Sequence, residues 1–239
     1  MVFKSEQWMN YLRFFKNKTQ GNLNIKFNQP NAAVIVEPRE DELLDLVINN
    51  FMYFLQEDWS LYIFHGNKND KFVKNITKNM GEVYLINLNV NNLTTNEYSS
   101  LLTSENFYKL IHCNNILIFQ MDTLLRKPIS KEFMEYDYVG APWTWEHKGW
   151  WRGKVGNGGL SFRKKDKMLK IIQTYKYNGG NEDGYFSNNS YNLKYNLPDF
   201  ETASAFSVET VFHPDPIGLH RPYVSENKDY DKLFEIKVV

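Results

Sequence analysis

The chain has 239 residues, 42% of them hydrophobic, enough for one substantial core or two small ones. Its 28 Lys and Arg balance 28 Asp and Glu, so no bulk field draws nucleic acid or an anionic membrane, and neither is expected as a partner. A single cysteine, Cys113, excludes an intramolecular disulfide, and the start at Met1 lacks the apolar run of a signal peptide or membrane span, so a soluble intracellular protein is expected.

Residues 1–31 are mixed and polar and read as an N-terminal extension, a helix and a loop packed on the outside. Residues 32–239 read as one domain, because no Gly/Ser linker, repeat or charge block divides them. Ala32 to Val36 is the continuous apolar run of a buried parallel strand, closed by Glu37-Pro38-Arg39 because proline cannot donate to a ladder. Leu44, Val47, Phe51 and Leu55 recur at helical spacing behind Asp41. A second strand, Leu61 to Phe64, ends at His65-Gly66. A helix from about Asp70 to Asn79, a third strand at Val83 to Ile86, a helix near 96–111 and a fourth strand at Ile116 to Phe119 follow. This alternation predicts an α/β fold with a mostly parallel central sheet flanked by helices. Thereafter short strands, glycines and tryptophans replace the alternation, with helices near 165–176 and 182–193. Open α/β sheets bind ligands beyond the carboxyl ends of their strands, which singles out Glu37, Arg39, His65-Gly66, Gln120 and Asp122.

Four groups carry chemistry. Gln120-Met121-Asp122-Thr123 follows the most apolar strand, where an acidic residue either holds a divalent cation or caps the next turn. Gly156 to Arg163 holds three glycines in four residues, either a backbone cradle for sugar or phosphate or a plain tight turn; it is neither a P-loop nor a dinucleotide fingerprint. Asn181-Glu182-Asp183 opens a helix, as caps or as a carboxylate able to deprotonate an acceptor hydroxyl. His220, in Pro216 to Pro222, is a metal ligand or a turn residue without a role. Trp143, Trp145, Trp150 and Trp151, with Gly140 and Gly153, suit a stacking platform for sugars or a hydrophobic lid.

In this order, the four groups resemble the characteristic elements of the GT-A glycosyltransferase fold. The stretches VIVEPRE, FQMDTLL, YDYVGAPW, VGNGGLSFR, NEDGYF and FSVETVFHPDPIGLHRPY are similar to the DUF5672 family, with members in bacteria and large DNA viruses. The resemblance implies a Rossmann-like nucleotide-binding half at about 32–123 and an acceptor half at about 124–223. It implies that Asp122 and His220 ligate Mn²⁺ or Mg²⁺, with Gln120 standing where a first aspartate is usual. Gly158, Gly159 and Ser161 would line the donor-sugar and acceptor cleft, and Glu182 would contact the donor sugar. The resemblance makes Asp183 the general base of an inverting reaction. Placement at the carboxyl end of the first strand lets Arg39 meet phosphate or base and Glu37 a ribose or base edge, or lets either simply pair with a neighbour, with His65 a further donor-site candidate. The implied partners are a nucleotide-diphosphate-sugar donor, UDP-linked by preference with GDP and dTDP open, and a glycan or glycoprotein acceptor. The implied compartment is the cytoplasm, the host's for a viral member. Three other readings stand beside this one: a nucleotide-sugar binder without turnover, prompted by Gln120; a glycoside hydrolase, which also needs two carboxylates; and a glycan-binding module resting on the tryptophans.

Overall fold

In the computed structural model, which describes residues 5–143, 155–221 and 228–235, the predicted apolar runs form parallel strands at the middle of the molecule. They are β1 (Asn31–Val36), β2 (Trp59–His65), β3 (Val83–Asn87) and β4 (Asn115–Phe119). Two further strands, β6 (Tyr138–Gly140) and β7 (Leu160–Lys164), complete a six-stranded sheet of order β3-β2-β1-β4-β7-β6. β7 alone runs against its neighbours, pairing antiparallel with both β4 and β6. The sheet is therefore mostly parallel, as the alternation of strands and helices requires.

Both faces are covered, and the two-residue period of a strand sorts the side chains between them. Ala33, Ile35, Leu61, Ile63, Leu117 and Phe119 join one core with α1 (Glu6–Thr19) and α2 (Glu42–Leu55). Their sequence neighbours Ala32, Val34, Tyr62, Phe64, Ile116 and Ile118 join the opposite core. That core also takes residues of α4 (Thr95–Leu102), α5 (Glu105–Lys109), α7 (Lys165–Thr174) and α8 (Glu182–Asn192). α1 packs on α2 and buries Trp8 and Leu12 completely, so the N-terminal helix shares the core of the domain. The stretch expected as one helix near 96–111 is two, because Ser104 ends the first run and caps α5 by accepting from the Phe107 amide at 3.3 Å.

A second, three-stranded sheet sits at the carboxyl edge, of order β5-β9-β8: β5 (Thr123–Leu125), β9 (Gly218–His220) and β8 (Ser207–Val208). β5 and β9 run antiparallel with Thr123 opposite His220. Buried Asn50 of α2 holds β5 in place by accepting from the Leu125 amide at 2.7 Å and donating to its carbonyl at 3.0 Å. No described helix is long and apolar enough to cross a membrane.

Candidate active site

The carboxyl ends of β1 and β4 open into a cleft of about 330 Å³. Glu37, Pro38 and Arg39 line it from β1, Gln120, Met121 and Asp122 from β4, and Asn92 to Thr95 with Tyr98 from the start of α4. Its volume lies in the range of small-ligand pockets. Arg39 lies on Glu37 through two parallel hydrogen bonds, 2.8 Å from Nε and 2.7 Å from Nη2. Glu37 is buried, whereas just over half of the Arg39 side chain is exposed. The planar fork is thus fixed before any ligand arrives. The turn beneath it is held by Asn69, fully buried, whose Nδ2 donates to the carbonyls of Glu37 at 2.8 Å and Arg39 at 2.9 Å. Asn69 also accepts from the Gly66 amide at 2.9 Å, and Gly66 packs so closely on Pro38 that a Cβ there would lie 2.8 Å from the proline Cβ.

Asp122 belongs to the cleft lining, and His220, outside that lining, stands against it. The Arg221 amide donates to the Asp122 carbonyl at 2.7 Å, extending the β5–β9 ladder to the two residues that matter. His220 Nε2 then lies 3.6 Å from Asp122 Oδ1, beyond hydrogen-bond range but close enough for both to act on one small cation. Burial draws the His220 imidazole down to about 4, so at neutral pH it is uncharged, the form that ligates metals. Its other nitrogen, Nδ1, lies 3.4 Å from Glu209 Oε1. Burial pushes the Glu209 carboxyl up to about 7, against the opposing charge of Arg221. Among the described residues no cluster of three or more His, Cys, Asp or Glu is able to hold a metal. Asp122 and His220 therefore offer two donors, short of the three that a protein-held catalytic metal uses.

The glycine loop passes between His220 and the start of α8. A Cβ on Gly159 would stand 2.2 Å from His220 Nε2, and one on Gly158 would stand 2.5 Å from Glu182 Oε1 and 2.9 Å from Asp183 Cβ. Glycine is required here by space. Asp183 lies in the first turn of α8, behind the N-cap Asn181, where Oδ2 accepts from the Gly158 amide at 3.2 Å and Oδ1 from the Gly184 amide at 2.7 Å. Burial, and then the charge of Glu182, push its carboxyl up to about 6.

Beneath this layer lies Arg163, completely buried on β7. Its guanidinium sits 5.4 Å from the Tyr138 ring and 5.2 Å from the Phe186 ring, pairs with Glu182 Oε1 at 3.3 Å, and donates to Ser161 Oγ at 3.0 Å.

The fold thus brings Glu37, Arg39, Gln120 and Asp122 to one cleft, with His220 against Asp122, and places Gly158, Gly159, Glu182 and Asp183 in a second group next to His220. Three expected positions serve as supports. Ser161 is fully buried and bonds Arg163 and the Gly158 carbonyl, because its β7 position faces the buried guanidinium. Glu182 is 6% exposed and engaged with Arg163, so it underlies the site. His65 is 2% exposed with Nδ1 3.0 Å from the Gly66 carbonyl, and it lies outside the cleft lining. Of the tryptophans, Trp143 is partly buried, while Trp145, Trp150 and Trp151, like Gly153 and Pro222, lie outside the described residues. Asn69 escaped sequence reading, and Glu209 and Arg163 lie inside the quoted stretches FSVETVFHPDPIGLHRPY and VGNGGLSFR without an assigned role, since a polar residue that closes a contact across the fold has no periodicity.

A parallel nucleotide-type half, a reversed β7 and a small sheet at its carboxyl edge define a chain with the GT-A fold of glycosyltransferases. Residues 82–220 match the family described as a protein of unknown function, DUF5672, and the chain belongs to that family. Among solved structures it is similar to an active-site mutant of LgtC, at TM-score 0.52 and 11% identity, over 86% of this chain and 94% of LgtC. It is also similar to the glycosyltransferase GlyE of Streptococcus pneumoniae TIGR4, at TM-score 0.51 and 13% identity over 84% of this chain, and to the bifunctional glycosyltransferase WbbM, at 0.53 and 11% over 89%. The chain spans only 56% of GlyE and 50% of WbbM. No curated protein matches it in sequence.

Proposed function

We propose that this protein is a glycosyltransferase that moves a sugar from a nucleotide-diphosphate donor to a hydroxyl of a glycan or glycoprotein. The observation that carries the reading is that Asp122 both lines the Glu37–Arg39 cleft and stands 3.6 Å from His220. In this reading a nucleoside occupies the cleft and its diphosphate reaches toward that pair. One neighbour on this fold, galactosyltransferase LgtC, is described in complex with donor and acceptor sugar analogues. UDP-linked donors are the first to test, with GDP and dTDP next.

Asp122 and His220 would hold Mn²⁺ or Mg²⁺ together with the donor diphosphate, and such an ion neutralises the charge that develops on the leaving group. Arg39, fixed on Glu37, offers its exposed edge to phosphate or base. Gln120 contributes an amide for a ribose or sugar hydroxyl. Asp183 acts as general base: the acceptor oxygen forms its bond to the anomeric carbon, the carbon–oxygen bond to the diphosphate breaks with its electron pair, and the acceptor proton passes to an Asp183 carboxylate oxygen. Attack from the face opposite the diphosphate gives inversion. The raised Asp183 carboxyl suits a base working near neutral pH.

The hydrolase reading is weaker, because Glu182, the carboxylate next to Asp183 in sequence, is committed to Arg163. A thermal-shift panel of nucleotide sugars with and without Mn²⁺, followed by assay of released nucleoside diphosphate, tests the proposal. Stabilisation by UDP with Mn²⁺, reversed by EDTA, is expected. No shift with any nucleotide, or stabilisation by free oligosaccharide alone, would overturn it.

A further inference from the structure

Resting on that reading, we propose that Glu209 is a positioning residue that sets the tautomer and orientation of His220. A neutral imidazole carries one proton for two nitrogens, so the partner of one nitrogen decides what the other offers. In His220, Nδ1 is buried and makes no hydrogen bond of ordinary geometry, yet it lies 3.4 Å from Glu209 Oε1. Nε2 lies 3.6 Å from Asp122 Oδ1. With the proton on Nδ1, directed to Glu209, the lone pair of Nε2 faces Asp122, and both groups present electrons to the space between them. With the proton on Nε2, that space holds a hydrogen and the pair is closed to a cation.

Glu209 is built to be immobile. Its Oε2 accepts from Asn157 Nδ2 at 2.9 Å, its carbonyl accepts from the Tyr230 hydroxyl at 2.8 Å, and it is 8% exposed. Asn157 in turn accepts from the Gly159 amide at 3.1 Å, and Gly159 is the residue whose missing side chain leaves room for the ring. One carboxylate thus ties the height of the glycine loop to the ring orientation of His220. A carboxylate behind a ligating histidine fixes its tautomer and raises its basicity, and its loss costs roughly 10–100-fold in metal affinity.

The test uses the full chain labelled with ¹⁵N-histidine, reading the His220 tautomer from long-range proton–nitrogen spectra. Mn²⁺ affinity in the presence of UDP is the second readout. At pH 8 and above, where Glu209 is ionised, the native protein is expected to show the proton on Nδ1. Glu209→Ala should shift His220 toward the Nε2 tautomer and weaken Mn²⁺ roughly 10–100-fold. Glu209→Gln keeps the shape and an acceptor oxygen, so a smaller loss is expected, and it covers the case in which the alanine variant does not fold. A native tautomer with the proton on Nε2, or unchanged tautomer and affinity in both variants, would overturn the proposal. If the native protein takes no Mn²⁺ with UDP, the metal part of the functional reading fails, and the tautomer still decides the role of Glu209.

Discussion

Thr123 and His220 are register partners across the β5–β9 ladder, and the next hydrogen bond along it runs from the Arg221 amide to the Asp122 carbonyl at 2.7 Å. The separation of the Asp122 and His220 side chains is therefore set by backbone pairing, not by flexible side chains. Asn50 grips β5 from the helix behind, so the pair inherits the rigidity of the core. In the proposed reading Asp122 and His220 supply two ligands of a cation, and the remaining ones are expected to come from the donor diphosphate and water. Mn²⁺ titrations should accordingly show weak binding to the protein alone and tighter binding once UDP is present. Equal affinity in both conditions would argue for further protein ligands.

Asp183→Asn should abolish transfer, a loss of about 10²–10⁴-fold, while UDP binding by calorimetry stays close to the native value. The asparagine can accept from only one of the Gly158 and Gly184 amides and turns its NH2 toward the other, so a small loss of stability should accompany the loss of transfer.

The same carboxyl gives a pH test with a definite sign. Its folded value, about 6, lies above its ordinary value of 3.8, so the folded state binds the proton more tightly. Asp183 therefore adds stability at acid pH that is lost as pH rises from about 4 through about 6. In thermal melts across this window, Asp183→Asn should remove that decline, leaving the variant relatively more stable at pH 8 than at pH 4. Activity must move the other way, because a base works ionised. The acid limb of kcat/KM should bend near pH 6, and a profile flat down to pH 4.5 would count against Asp183 as the base.

Gly159→Ala tests the steric argument. The added methyl meets the His220 ring at 2.2 Å, so ring or loop must shift. Such overpacking costs about 1–3 kcal/mol in urea unfolding, and Mn²⁺-dependent stabilisation by UDP should fall with it. Gly179→Ala is a poor control because of its φ of +93°, although its surroundings are open.

Arg163→Met leaves Glu182 buried without its cation, which should cost about 3–5 kcal/mol. The double variant Arg163→Met, Glu182→Leu should recover part of that stability in denaturant titrations but not activity, because Asp183 would lose the neighbour that helps set its carboxyl.

Arg39→Ala removes the exposed half of a pair whose other half, Glu37, is buried. The carboxylate then keeps only the backbone amide of residue 39, so the melting temperature should fall together with UDP affinity. Lysine should not restore it, since a single ammonium cannot reproduce the two-pronged contact to Glu37.

By itself the sequence determined the parallel sheet and the positions of its strand ends. A strand buried on both faces must be an unbroken apolar run, and Ala32 to Val36, Leu61 to Phe64 and Ile116 to Phe119 are such runs. It also marked Asp122, Gly158-Gly159, Asp183 and His220, because each breaks a local pattern, and their order carries the resemblance to the family. Only the tertiary structure decided how these breaks meet. Strands of two or three residues, such as β8, β5 and β9, are too short to show a period, so the sheet that joins Asp122 to His220 is invisible along the chain. The same holds for Glu209, Asn69 and Arg163, whose work is to close contacts between distant segments. Burial decided the surroundings of Ser161 and Glu182: both lie in the expected motifs and both meet Arg163, because a guanidinium removed from water requires polar partners at that depth.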